Sequence, residues 1–292
     1  MFSKLLESKN VLLFDGAMGT EIFKHGITPG KVPDLMNIEK PEIIQKILAD
    51  YYKYCDFVQT ATFSSNKLCL AKNKIEDQLE SINAKALENI EKVQPKNKLI
   101  VGDIGPSGEF RSPVGIITSE QWESSFSSQV RVLEPRIDVW HIETMSDIQE
   151  MQSAIKSIKK ISQKPIMASM TFRKTKKGFF TIMGDSPSTC IEILEKEKID
   201  VIGTNCTIGS DEMVKLAEEL IDLTSKPVLV KPNAGKPRLD FSSGQTNYDQ
   251  KPEEFVHDIK KMIDLGVKIV GGCCGTTVFH MKLLRKLIDS LD

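Results

Sequence analysis

The sequence predicts an α/β protein, an eight-stranded parallel βα (TIM) barrel built as a single domain over residues 1–292. Three observations predict it. Short β-rich apolar runs alternate with longer amphipathic ones, eight such units follow one another without a long linker, and chemically able residues collect after the strands rather than before them. Parallel strands need long, usually helical crossovers, which regular alternation supplies. Eight units suit closure, and 292 residues is near the roughly 250 of a typical barrel. An open doubly wound sheet is the alternative that fits the same alternation.

The expected strands are 11–14, 56–60, 99–102, 137–142, 165–170, 201–204, 227–231 and 267–271. Between them the spacing predicts helices from Pro41, which opens a run with apolar residues three and four apart, and over 75–93, 120–133, 146–161, 189–197, 211–223, 252–265 and 278–291. Ser146-Asp147 and Asp211-Glu212 are residue types that cap a helix N-terminus or complement its charge.

Composition narrows the function classes. With 40% hydrophobic and 27% charged residues the chain can bury a sizeable core. Lys and Arg total 39 against 40 Asp and Glu, so the basic excess that nucleic acid or a membrane surface demands is missing. No run approaches the roughly 18 apolar residues of a membrane span, and residues 1–8 lack the apolar segment of a secretory signal. Six Cys, two of them adjacent, are too few for a disulfide scaffold, and a cytoplasmic location is expected.

In a βα barrel the loops after the strands share one face, and chemistry sits there. The strongest signal on that face is Gly271-Gly272-Cys273-Cys274-Gly275. Adjacent side chains of an extended strand point to opposite faces, but in a glycine-flanked turn both thiols can converge. Cys206 stands at the matching end of the sixth strand. Three thiolates suit Zn²⁺ and leave a fourth position open. A strained vicinal disulfide, or inert buried thiols, are the competing readings of the pair alone. Cys55, Cys69 and Cys190 read as core-filling residues.

An open site of three thiolates is a poor Lewis acid for hydrolysis and a good host for another sulfur. A thiol bound there would lose its proton and become a nucleophile toward an electrophilic carbon. The residues therefore point to thiol alkylation. After the first strand, Asp15-Gly16-Ala17-Met18-Gly19-Thr20 offers a carboxylate for an amino group and backbone N–H groups for a carboxylate, the two ends of an amino acid. Glu143, after the fourth strand, adds a second carboxylate. His141 shares its parity and is expected to be a satisfied core histidine. Arg173-Lys174-Thr175-Lys176-Lys177 reads as a solvated run, with a docking patch for an acidic partner as the alternative.

These motifs, with Gly102-Asp103-Ile104-Gly105-Pro106 and Pro232-Asn233-Ala234-Gly235, resemble those of the homocysteine S-methyltransferase family, and most closely the homocysteine-binding domain of cobalamin-dependent methionine synthase. The resemblance runs along essentially the whole chain and implies the barrel fold. It implies that Cys206, Cys273 and Cys274 bind zinc and activate the thiol, that Asp15 and Glu143 hold the homocysteine amino group, and that the backbone of Gly16 and Ala17 holds its carboxylate. The chain departs from the usual synthase pattern at Ala61, where an asparagine is common, and at Arg173, where an acid is usual.

Relatives that use betaine hold a quaternary ammonium between aromatic rings. Here Thr144 follows Glu143, and Ser64-Ser65-Asn66 carries no ring. The expected donor is therefore methylcobalamin or another methyl-corrinoid on a separate protein, making methionine. The alternatives are S-methylmethionine or another sulfonium or ammonium donor, another thiol as acceptor, and a non-catalytic module that holds zinc or homocysteine within a complex.

Overall fold

In the computed structural model, which describes residues 2–26, 31–240 and 245–291, each strand expected from the sequence forms. They are β1 (Leu12–Leu13), β2 (Phe57–Gln59), β3 (Leu99–Ile104), β4 (Val139–Met145), β5 (Ile166–Met170), β6 (Val201–Gly209), β7 (Val228–Asn233) and β8 (Ile269–Val270). Neighbours pair in parallel in the order β1-β8-β7-β6-β5-β4-β3-β2. Asp56 N–H donates to the Leu13 carbonyl at 2.8 Å, and Leu13 N–H donates to the Asp56 carboxylate at 2.8 Å. Those two bonds join β1 to β2, so the sheet closes and the open doubly wound alternative falls away. Asp138 and Asp200 repeat the device between β3 and β4 and between β5 and β6, accepting from Ile100 N–H and Ile166 N–H at 2.8 Å each.

The pleat sorts side chains by parity. Alternate residues turn inward, apolar near the strand starts and polar near the ends: Phe57 then Gln59, Val101 then Asp103, Val139 then His141 and Glu143, Val201 then Asn205, Leu229 then Lys231. The apolar layer is sealed below by the helix Phe2–Ser8, whose Phe2 ring lies edge-on to Phe57 at 5.9 Å. The other parity, such as Leu13, Val58, Ile100 and Ile202, packs outward against the helices in the larger core.

The expected helices form, with bounds shifted by a few residues: Pro41–Tyr52, Leu79–Val93, Ser119–Leu133, Ile148–Lys159, Pro187–Lys196, Ser210–Leu223, Pro252–Asp264 and Val278–Asp289. Asp147 caps its helix as expected, accepting from Gln149 N–H at 2.9 Å. Ser210–Leu223 instead starts from Gly209 without a side-chain cap, and Asp211 and Glu212 only line its first turn. Short elements escaped the sequence reading because they carry too little periodicity: the helices Phe2–Ser8, Gly19–Phe23, Met36–Glu39 and Lys67–Ala71, and two small hairpins. Among the described residues no helix is long and apolar enough to cross a membrane.

Candidate active site

The three thiols meet where β6 and β8 end. Pairing of β6 with β7 breaks between Asn205 and Gly209, and there Cys206 and Thr207 take φ of 62° and 64°. That left-handed backbone costs energy for residues with a Cβ, most for a β-branched one. Past β8, Gly272 N–H bonds the Asp15 carbonyl at 2.9 Å and Cys273 N–H bonds the Pro232 carbonyl at 2.8 Å. Gly275 then turns the chain at φ 82°, and a Cβ there would lie 2.3 Å from Cβ of Tyr248. Cys206 Sγ and Cys274 Sγ stand 3.9 Å apart, and the three sulfurs all lie within 4.8 Å of one another.

Those distances suit a shared ion. Zn–S bonds of about 2.3 Å at tetrahedral angles put sulfurs roughly 3.8 Å apart. The cysteines are free thiols, so the vicinal disulfide is not formed. Hydrogen bonds from the Cys206 and Cys273 thiols, joined by the Tyr248 hydroxyl, hold the Cys274 thiol well below its ordinary pKa despite burial. Its own contacts with Cys206 and Cys274, with burial, push Cys273 up. Three thiolates this close repel one another, and a dication would offset that repulsion.

Polar residues of the barrel interior form the wall opposite the sulfurs. Glu143 Oε1 accepts from Gln59 Nε2 at 3.0 Å and its Oε2 from Asn205 Nδ2 at 2.9 Å. Asn205 Oδ1 in turn accepts Thr144 N–H at 2.7 Å, which fixes Thr144 at φ 59°. His141 is the satisfied core residue expected: Nδ1 meets Gln59 Oε1 at 3.0 Å and Nε2 meets Ser169 Oγ at 2.9 Å. Since Gln59 spends its N–H on Glu143, its oxygen faces His141, and the proton sits on Nδ1. Burial holds this imidazole well below its usual pKa, hence neutral.

A cavity of about 330 Å³ opens between wall and sulfurs, lined by Gly16, Ala17, Phe23, Asp34, Phe63, Asp103, Glu143, Lys231 and the three cysteines among others. Asp15 lies behind that lining, 1% exposed, with Lys231 Nζ 2.6 Å from Oδ1 and Gln59 N–H 2.7 Å from Oδ2. Ala17 N–H donates to Thr276 Oγ1 at 3.0 Å, while the Ala17 carbonyl accepts the Tyr51 hydroxyl at 2.7 Å. Asp34 accepts from Ser64 N–H and the Ser65 hydroxyl, but burial outweighs both and raises its pKa to about 6. Asn233 Oδ1, beside the thiol loops, is buried without a hydrogen-bond partner among the described residues.

The structure therefore brings Cys206, Cys273, Cys274, Gly16, Ala17 and Glu143 to one cavity and sets Asp15 just behind it. Arg173 is exposed on the hairpin Arg173–Thr175 with Gly178–Phe180, away from the cavity, and Cys55 and Cys190 are buried in the core. Sequence reasoning assigned no role to Gln59, Asp103, Asn205 or Lys231. Their parity with Phe57, Val101, Val201 and Leu229 was the available signal.

A family model described as homocysteine S-methyltransferase matches residues 12–288. Methionine synthase of Mycobacterium tuberculosis (strain ATCC 25618 / H37Rv) is 24% identical over 307 residues, covering 97% of this chain and 25% of that protein. Methionine synthase of Mycobacterium leprae (strain TN) is 24% identical over 303 residues, covering 95% and 24%. The chain thus spans about a quarter of the length of these curated relatives. In fold it resembles the metallated form of the homocysteine methyltransferase MmuM from Escherichia coli, with TM-score 0.81 and 22% identity over 97% of this chain and 98% of that one. The oxidized form gives TM-score 0.81 and 21% identity over 98% and 99%.

Proposed function

The chain belongs to the homocysteine S-methyltransferase family, and from that premise we propose that it is a zinc-dependent enzyme that moves a methyl group onto the thiolate of homocysteine, yielding methionine. The observation that carries this reading is the meeting of three thiols, brought from two strand ends, at the edge of a cavity walled by carboxylates. Cys206, Cys273 and Cys274 would hold the metal. Zinc bound there would supply positive charge that lowers the pKa of an incoming thiol, so that its sulfur would be a nucleophilic thiolate.

The chain's own residues then orient the amino acid. Glu143, held by Gln59 and Asn205, presents a carboxylate to the ammonium group across from the sulfurs. Asp15 would reach that ammonium only in competition with Lys231. The backbone of Gly16 and Ala17 lines the carboxylate end, where Thr276 would have to release Ala17 N–H. Ala61 and Phe63 help keep water from the reacting sulfur.

For the donor, a small sulfonium such as S-methylmethionine fits better than the methyl-corrinoid protein expected from the resemblance. The cavity holds more than one amino acid, and Phe23, Phe63 and Asp34 offer ring faces and a carboxylate that favour a cation. The two solved homocysteine methyltransferase chains share this barrel over 98% and 99% of their length, which supports homocysteine as the acceptor. Purified zinc-loaded protein given homocysteine should make methionine from S-methylmethionine. Methionine from methylcobalamin or a methyl-corrinoid protein alone would overturn the donor assignment. Equal turnover of other thiols would overturn the acceptor, and no product from any donor would leave a binding module.

A further inference from the structure

Resting on that reading, we propose that Asp103 is a second anchor for the ammonium group of the amino-acid acceptor, standing beside Glu143 while Asp15 is engaged by Lys231. Of the four carboxylates at or behind the cavity, three are answered within the protein. Asp15 is bound to Lys231 at 2.6 Å, with both side chains 1% exposed. Asp34 accepts from Ser64 and Ser65, and Glu143 accepts one amide N–H on each oxygen. Asp103 differs: it lines the cavity, is 1% exposed, and its Oδ1 is buried with no hydrogen-bond partner among the described residues.

A buried carboxylate oxygen left unanswered is expensive, and a ligand that supplies the missing donor offsets the cost. A cation suits it best: burial and the neighbouring Glu143 push the pKa of Asp103 well up, and a positive charge between the two acids offsets both effects. An oxygen of Asp103, an oxygen of Glu143 and a nitrogen of His141 lie within 4.8 Å of one another. A metal ion is disfavoured there, because both His141 nitrogens are already taken by Gln59 and Ser169. An ammonium group needs no imidazole. Its three N–H donors can reach Asp103 and Glu143 together, while the carbon chain runs across the barrel toward the thiols at the ends of β6 and β8.

The test compares homocysteine with 4-mercaptobutyrate, the same chain without its amino group, by calorimetric binding to the zinc-loaded protein. Wild type should prefer homocysteine. Asp103→Asn should bind homocysteine at least about tenfold more weakly and leave 4-mercaptobutyrate unchanged. A parallel loss for both thiols, or no loss for either, would overturn the assignment. Wild type binding neither thiol would instead sink the acceptor reading on which it rests, and Asp103 with it. Ligand-free D103N should unfold no lower in temperature than wild type, and if it fails to fold, Asp103→Ser carries the same comparison.

Discussion

Lys231 Nζ sits 2.6 Å from Asp15 Oδ1 inside the barrel, with the Phe14 ring centroid 3.8 Å from the same ammonium. Asp15 and Glu143 hold Lys231 above its ordinary pKa against burial, which favours the neutral amine. A buried pair of this kind is costly to break and nearly neutral to remove. Lys231→Met should therefore destabilise the protein by about 3–5 kcal/mol, whereas the double change Asp15→Asn with Lys231→Met should recover most of that. Urea unfolding of the two variants checks it; equal losses would show that the pair is not coupled.

The sulfur trio predicts a shared ligand role. Each of Cys206→Ser, Cys273→Ser and Cys274→Ser should lower zinc from about one ion per chain to a small fraction after dialysis, because a hydroxyl is a far weaker zinc ligand than a thiolate. Cys55→Ser should keep its zinc, since Cys55 is buried in the core among Tyr51, Val58 and their neighbours. Elemental analysis distinguishes these. Full zinc in any one of the first three would remove that residue from the set.

Asn205 ties Glu143 to the backbone of Thr144. Asn205→Ala should raise the KM for homocysteine by roughly tenfold, the loss expected when a charged acceptor loses its hydrogen bond. Its zinc content should stay near the wild-type level. A variant that loses zinc as well would show that Asn205 acts on the metal through its 3.9 Å contact with Cys273.

Glu150 is a lever on stability. It accepts from Ser107 N–H at 2.7 Å and from the Ser107 hydroxyl at 2.5 Å, yet burial raises its pKa to about 7. The folded pKa lies above the unfolded one, about 4.3, so the native state holds the extra proton between the two values. Stability from this group is thus present at low pH and lost as pH rises from about 4.3 through 7. Glu150→Gln should flatten that fall by no more than about 4 kcal/mol. Thermal unfolding between pH 5 and 8 reads it directly; a slope identical to wild type would mean that Glu150 stays ionised throughout.

The barrel and its thiols were legible because each rests on local pattern. Strand parity, helix periodicity and Gly271-Gly272-Cys273-Cys274-Gly275 are read within a few residues, and a thiol at a strand end stays at that end once the sheet closes. Short pieces such as Gly19–Phe23 were not legible, since five residues carry too little periodicity to separate them from a loop.

By itself the sequence determined the alternation of strands and helices, the face on which polar groups collect, and the trio Cys206, Cys273 and Cys274 as candidate ligands. Only the tertiary structure decided how the acids are shared out: Asp15 to Lys231, 216 positions along the chain, Glu143 to Gln59 and Asn205, and Asp103 to no partner within the described residues. Parity tells which way a side chain points. Which group answers it depends on distances across the closed barrel, and those distances exist only when β1 meets both β2 and β8.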